Sequence, residues 1–359
     1  MTVAVPSAAR ADRLVELLRE RELDSLLVTN LVNVRYLAGF TGSNAVCLVA
    51  PDRRVFFTDF RYVSQAEEQV RDFERLPAGR ELATDLAKHL RGRAGFDDEH
   101  VTVRVHHRLA EELPEGVELV AAGGLVEQLR EVKEEGELER IREAARLATL
   151  ALERTLENGL SGRTEAEVSR ELQQAMRHLG AEDPSFSAIV AAGPHGALPH
   201  AEPRDVQIPT DTLVVIDWGA RLDGYCSDCT RTIATGPLGP EAEAVYELVR
   251  RAQDEALAAV RAGAEKQGVD GVARAIIEEA GQGERFGHGL GHGVGLEVHE
   301  GPRLTKQAEG ALAAGNVVTV EPGVYIPGEL GVRIEDLVAV TEDGSEVFTT
   351  FSKQLTTVD

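Results

Sequence analysis

Four carboxylates interrupt runs that are otherwise apolar. Asp217 closes LVVID, Asp228 lies in CSDCTRT, Glu321 breaks VVTVEPG and Glu335 lies in GVRIEDLVAV. A carboxylate in an apolar strand needs a partner, because a buried unpaired charge is costly. One solution is an arginine for each, and Arg221, Arg231 and Arg333 are available. The other is metal. Two divalent cations bring four positive charges against four negative ones, a neutral imidazole completes the coordination, and a hydroxide can still bridge. Without metal the four acids would repel and some would hold protons. Oxygen-rich ligation with one nitrogen suits manganese or cobalt better than a thiolate-built zinc site. Two such metals about 3.5–4 Å apart hydrolyse amides or phosphoesters with a shared hydroxide.

Residues 287–300, GHGLGHGVGLEVHE, contain three histidines that offer the nitrogen. His288 and His292 have the spacing of a helical HExxH site. Glycines at 287, 289, 291, 293 and 295 each cost about 1 kcal/mol in a helix interior, so the segment is expected to be extended or looped. Along an extended chain His288 and His292 share a face, and His299 needs a bend to join them. Glycine lets such a backbone pass close to a ligand. A glycine-rich surface loop with solvated histidines is the plainer alternative.

The elements that position these residues must come from a chain of 359 residues, enough for two domains. Its 43% hydrophobic and 28% charged content is ordinary for a soluble globular protein. The net charge of −23, from 61 acidic and 38 basic residues, argues against nucleic acid, whose binding rests on neutralising phosphates. It is compatible with divalent cations. No apolar run reaches the roughly 18 residues of a membrane span. The N-terminal MTVAVPSAARADRLVELLRE lacks the basic start and apolar core of a secretory leader, so the cytoplasm is the expected compartment. Cys47, in NAVCLVA, reads as a small core residue. Cys226 and Cys229 form CSDC in a strand-like run, which disfavours redox chemistry, and so few cysteines fit a reducing compartment.

Residues 8–22 carry apolar positions at helical spacing. DSLLVTN, NVRYLAGF, NAVCLVA and RRVFFTD read as strands, followed by helices near 60–71 and 81–91 and a strand at 93–97. Residues 124–158 read as two charged helices broken near Gly136, the second ending at Gly159–Gly162. A domain boundary is placed near 130. A helix over 164–180 follows, with Thr164 as N-cap. Then come the strands SAIVAAG, DTLVVIDWGA and DGYCSDCTRTIAT, helices at 240–262 and 268–281, and the strands NVVTVEPGVYI and GVRIEDLVAVT. After a mixed α/β first unit, the grouping of strands and helices predicts α+β with an antiparallel or mixed sheet.

DWGA at 217–220, SDCTRT at 227–232, HGVGLEVHE at 292–300, EPG at 321–323 and RIED at 333–336 follow one another in order. This pattern resembles the pita-bread-fold metallopeptidases that cleave Xaa-Pro bonds, prolidase (Xaa-Pro dipeptidase) and aminopeptidase P. NVRYLAGFTGSNA at 33–45 is similar to their creatinase-type N-terminal domain, and KEEGELERIREAA at 133–145 to the usual entry into the catalytic domain. The resemblance covers nearly the whole chain. It implies a creatinase-like domain over 1–130 and, over 131–359, a pita-bread catalytic domain with a curved, mainly antiparallel sheet.

It also implies a site. Asp217, Asp228, His292, Glu321 and Glu335 would bind two divalent ions, manganese first and cobalt or zinc as alternatives, with Asp228 and Glu335 bridging. Glu321 would handle the proton, His299 would steady the oxyanion, and His200 and His288 would position substrate. Arg333 would support the ligands and Tyr325 would lie near them. His195, in GPHG, does not match and reads as an ordinary loop histidine. Arg303, in VHEGPR, resembles a prolidase arginine that binds the substrate's C-terminal carboxylate, which favours dipeptides; a surface arginine after a Gly-Pro turn is the alternative. The implied substrates are small peptides with proline second. The proline nitrogen carries no hydrogen, so a peptidase that needs that donor loses an anchor. Aminopeptidase P activity on longer peptides is the alternative. A non-catalytic metal- or peptide-binding module of the same fold is a third reading, disfavoured because all five ligand positions are intact. The family often forms dimers, so a homodimer is expected.

Overall fold

The run LVNVRYLA is the first place where local chemistry overrides β propensity. It forms the helix Leu31–Ala38, where a strand is expected from its Val, Tyr and Leu content. Asn30 caps it by accepting from the Val32 N–H, and Gly39 ends it in the left-handed region at φ 74°. Asn33, Val34, Tyr36, Leu37 and Ala38 are buried, so packing around most of this short helix overrides the strand preference. The computed structural model describes residues 7–79 and 82–359; the first six residues of the N-terminal stretch and position 81 of the helix expected at 81–91 lie outside them.

The chain divides into two compact units, Met1–Arg130 and Glu131–Asp359. The first holds a six-stranded mixed sheet in the order Glu74–Pro77, Arg53–Thr58, Ala45–Ala50, Ser25–Val28, Arg93–Phe96, Glu118–Ala121. Cys47 is buried in it, as its apolar neighbours predict. The short strands Glu74–Pro77 and Glu118–Ala121, and the helix Val103–Glu111 capped by the Thr102 hydroxyl, are not among the elements expected from the sequence.

In the second unit the helix Glu135–Leu156 begins before Gly136, so the break between the two charged helices falls at residues 132–134. The Glu137 carboxylate accepts from the Glu134 N–H at 3.0 Å and starts the second helix there. Thr164 caps Glu165–His178 as expected: its hydroxyl accepts from the Glu167 N–H while Glu167 accepts from the Thr164 N–H.

Every pairing between named strands of this unit is antiparallel. Leu213–Trp218 lies between Ile189–Ala192 and Cys229–Ala234. A five-stranded sheet runs Glu300–Leu304, Gly291–Gly293, Val317–Val320, Asp336–Val340, Ser345–Val347, and Gly323–Ile326 pairs with Leu330–Arg333. Helices Glu135–Leu156, Glu165–His178, Pro240–Ala258 and Lys266–Glu279 supply the apolar faces that pack on these strands. Trp218 pins one such contact, its indole N–H donating to the Ala148 carbonyl at 2.8 Å. Among the described residues no helix is long and apolar enough to cross a membrane.

The expected long apolar strands are broken where the carboxylates fall. Asp228 lies between Tyr225–Cys226 and Cys229–Ala234, Glu321 between Val317–Val320 and Gly323–Ile326, and Glu335 between Leu330–Arg333 and Asp336–Val340. Asp217 stays within its strand, opposite Thr230. Gly291–Gly293 is a short strand with loops either side, so residues 287–300 are extended and looped. A Cβ on Gly291 would sit 2.0 Å from the Thr319 carbonyl oxygen, so only glycine lets this strand slide in beside its neighbour.

Candidate metal centre and substrate cavity

Two threonines hold the carboxylates in place. The Thr230 hydroxyl donates to Glu335 Oε2 at 2.7 Å and accepts from Arg333 Nε at 3.0 Å. The Thr319 hydroxyl donates to Glu321 Oε1 at 3.0 Å and accepts from the His292 N–H at 3.1 Å. Both threonines escaped the sequence reading. Each lies two residues from a carboxylate just outside its strand, Thr230 from Asp228 and Thr319 from Glu321.

Against these supports, His292 Nε2 lies 3.2 Å from Glu321 Oε1 and 3.7 Å from Asp228 Oδ2. His292 Nδ1 donates to the Gly293 carbonyl at 3.1 Å, which aims Nε2 at the acids, where it would be the ligating nitrogen once metal binds. Asp228, His292 and Glu335 each present a ligand atom, all within 4.8 Å of one another.

The arginine alternative is realised for one acid. Arg333 donates to Asp217 Oδ2 at 2.6 Å, and also to the Tyr325 hydroxyl at 2.9 Å and the Pro199 carbonyl at 3.2 Å. Arg231 is spent on Asp336 at 2.8 Å and on the Phe351 and Ser352 carbonyls. Arg221 lies beside Glu182 and Asp183. Among the described residues Asp228, Glu321 and Glu335 pair with no arginine.

The electrostatics follow. Burial, then repulsion from Glu335, Asp217 and Glu321, pushes the Asp228 carboxyl far above the carboxylate range, and burial with Glu321 and Asp217 does the same to Glu335. Burial raises Asp217 too, against the pull of Arg333. Burial also works against ionised Glu321, but the hydrogen bond and charge of His292, with His288 and Arg333, bring it down to about 2. Asp217 Oδ1 and Glu335 Oε1 are buried with no hydrogen-bond partner. Orphaned acid oxygens around one imidazole are costly without a cation. This donor set fits divalent metal.

The cluster opens into a cavity of about 390 Å³ that brings together His200, His288, His299, Arg303 and Tyr325 with all five candidate ligands and Arg333. His288 Nδ1 donates to the Gly289 carbonyl at 2.8 Å, so the neutral ring accepts at Nε2 from the Tyr325 hydroxyl, 3.0 Å away. Desolvation lowers the His288 pKa. Tyr325, a minor candidate by sequence, is thus the link between Arg333 and His288. The His299 ring meets His292 edge-on with centroids 4.3 Å apart. Desolvation, then the positive charges of His292 and Arg303, lower its pKa to about 4. Phe186, Ile189, Pro199 and Val298 form an apolar wall.

His195 departs from expectation: it is buried, with Nδ1 2.9 Å from Glu165 Oε2. Burial and a carboxylate 30 residues back in the chain replace solvent around it. Cys226 and Cys229 are buried free thiols, and burial raises Cys226 to about 11, far from the low pKa of a redox pair.

Residues 139–342 match metallopeptidase family M24, and residues 10–132 match the creatinase/prolidase N-terminal domain. The chain is 34% identical over 349 residues to the Xaa-Pro dipeptidase of Pyrococcus furiosus, covering 96% of this chain and 99% of that one. Its structure is similar to that of an Xaa-Pro dipeptidase from Bacillus anthracis, with a TM-score of 0.94, 39% identity and 98% and 99% of the two chains covered. An X-Pro aminopeptidase from Thermotoga maritima matches with a TM-score of 0.88, 35% identity and 97% and 100% coverage. The α+β fold is therefore a creatinase-type domain followed by a pita-bread catalytic domain. This chain belongs to metallopeptidase family M24.

Proposed function

We propose that the protein is a dinuclear-metal hydrolase of Xaa-Pro peptide bonds whose first substrates are dipeptides. The observation that carries this is a group of four carboxylates and one imidazole, three of them buried with ligand atoms within 4.8 Å of one another, opening into a substrate-sized cavity. Asp217, Asp228, His292, Glu321 and Glu335 would hold the metal. When bound, divalent metal supplies Lewis acidity and a water acidified toward neutrality.

The chain's own groups do the rest. Glu321 takes the proton of the attacking water. As the oxygen–carbon bond forms and the carbon–nitrogen bond breaks, Glu321 returns that proton to the proline nitrogen, which leaves as a secondary amine. His299, at the cavity rim beside His292, donates to the developing oxyanion. His200 and His288 orient the substrate, with His288 held by Tyr325. Arg303 on the cavity wall takes the free carboxylate that follows proline in a dipeptide.

Manganese as the resident ion rests on the oxygen-rich donor set. Cytoplasmic residence rests on the free thiols, and a homodimer on family likeness alone. The division into domains over 1–130 and 131–359 is supported by the two compact units. Aminopeptidase activity on longer peptides is the second reading, favoured by the likeness to the Thermotoga maritima X-Pro aminopeptidase.

The test is hydrolysis of an Xaa-Pro dipeptide against an Xaa-Pro-Yaa tripeptide by metal-stripped protein reloaded with manganese, with Glu321→Gln as control. Dipeptide cleavage alone, lost in the control, is the expected result. Faster tripeptide cleavage selects the aminopeptidase reading, and cleavage of neither refutes both.

A further inference from the structure

A second buried polar cluster lies outside the metal centre. Glu165, in the first turn of the helix Glu165–His178, is 1% exposed. Its carboxylate accepts from the Ala192 N–H at 2.9 Å, His195 Nδ1 at 2.9 Å, the Arg204 N–H at 3.0 Å and Arg204 Nε at 3.2 Å. The donors come from both ends of one stretch, Ala192 and His195 on entry and Arg204 on exit. Between them the chain contributes Pro199 and His200 to the cavity wall.

The middle of the stretch is also held. Arg333 donates to the Pro199 carbonyl. The Gly196 backbone lies so near the strand Leu330–Arg333 that a Cβ on Gly331 would stand 1.8 Å from the Gly196 carbonyl oxygen. His200 itself is exposed, and its ring makes no hydrogen bond among the described residues. Its place depends on where its backbone is tied.

We propose that Glu165, with His195 and Arg204, is a positioning unit that sets where His200 and Pro199 stand against the substrate. This rests on the Xaa-Pro peptidase reading of the cavity. The chemistry requires an anion at the hub: a carboxylate has only acceptors, enough for all these donors, whereas an amide brings an N–H₂ that meets donors head-on. A misplacement of about 1 Å in a substrate-orienting group costs up to about a hundredfold in rate.

The experiment combines kinetics on the manganese-loaded enzyme with histidine NMR on the zinc-loaded enzyme, since zinc is diamagnetic and manganese would broaden ring signals this close to the metal beyond detection. The His200 ring signal in ¹³C-histidine-labelled protein is identified by its loss in His200→Ala. Glu165→Gln and, independently, Arg204→Ala are expected to shift that signal. Each should lower kcat/KM for an Xaa-Pro dipeptide roughly tenfold to a hundredfold, with bound manganese unchanged. In the His200→Ala background the same changes should add little further loss, and His195→Asn, which keeps a donor to Glu165, should recover most of what His195→Ala loses. Equal loss with and without His200, or an unmoved His200 signal in both variants, overturns the proposal. If Glu165→Gln does not fold, the Arg204→Ala arm decides alone. If the wild type hydrolyses no Xaa-Pro bond, the peptidase reading fails while the NMR arm still decides the positioning role.

Discussion

Loading metal onto the stripped protein should move its protons and its stability together. In the metal-free chain, burial and the neighbouring acids hold the Asp228 and Glu335 carboxyls far above their ordinary range, so the cluster keeps protons to higher pH than ordinary carboxyls do. Ligation requires them ionised. Manganese binding should therefore release protons, read by titration calorimetry in two buffers of different ionisation enthalpy. Apparent affinity should fall as pH falls. The stability of the metal-free chain carries its own sign. An acid whose pKa is raised by folding binds its proton more tightly in the native state, so stability is lost as pH rises from the unfolded value near 4. The stripped protein should thus weaken as pH rises above that value, and the loaded protein should not. Manganese at a hundred times its Kd adds about 2.7 kcal/mol. In a unit the size of Glu131–Asp359, each kcal/mol moves Tm by about 2–4 °C, so a rise of roughly 5–11 °C is expected. Asp228→Asn should remove both the rise and the proton release. A Tm indifferent to manganese, with no protons released, would refute the assignment of these four acids to a metal centre.

Three other predictions concern the supports. Thr230→Val removes the donor to Glu335 and the acceptor for Arg333; it should cost about 1–3 kcal/mol of stability and roughly tenfold in manganese affinity, and a variant with wild-type calorimetry would show the threonine to be incidental. Gly331→Ala forces a methyl onto the Gly196 carbonyl oxygen and should cost about 3 kcal/mol, measured as a lower urea midpoint; an unchanged midpoint contradicts the close packing. Asp97 in the first unit is raised from 3.8 to about 6 by burial, against the N–H groups of Thr29 and Asn30 that it accepts from. Stability is therefore lost as pH climbs from 3.8 to 6, by at most about 3 kcal/mol at roughly 1.4 kcal/mol per pH unit. Asp97→Asn keeps an acceptor oxygen, so its urea midpoint should overtake the wild type above pH 6, and parallel pH profiles would count against this account.

What could be read from the chain alone had costs that do not depend on geometry. An acid inside an apolar run is expensive wherever the run goes, so Asp217, Asp228, Glu321 and Glu335 declared themselves. Five alternate glycines forbid a stable helix in any fold, and the histidine segment was legible as extended for that reason. Thr164 followed by Glu167 specifies a helix start through contacts only three residues apart. Asn30 and Gly39 carried the same kind of local signal for Leu31–Ala38, but β-branched and aromatic content masked it until packing around most of the helix decided the case.

Contacts between distant residues decided the rest. Arg231 and Arg333 lie in similar strands near similar acids, and only packing sends one to Asp336 and the other to Asp217. Thr230 reaches Glu335 across 105 residues. Glu165 gathers donors from residues 192–204 because the helix and the loop fold together, and no local pattern announces that. Hydrogen-bond partners and charge repulsion act over a few ångströms of space whatever the distance along the chain. A sequence lists the donors and acids, and the tertiary fold alone decides which of them meet.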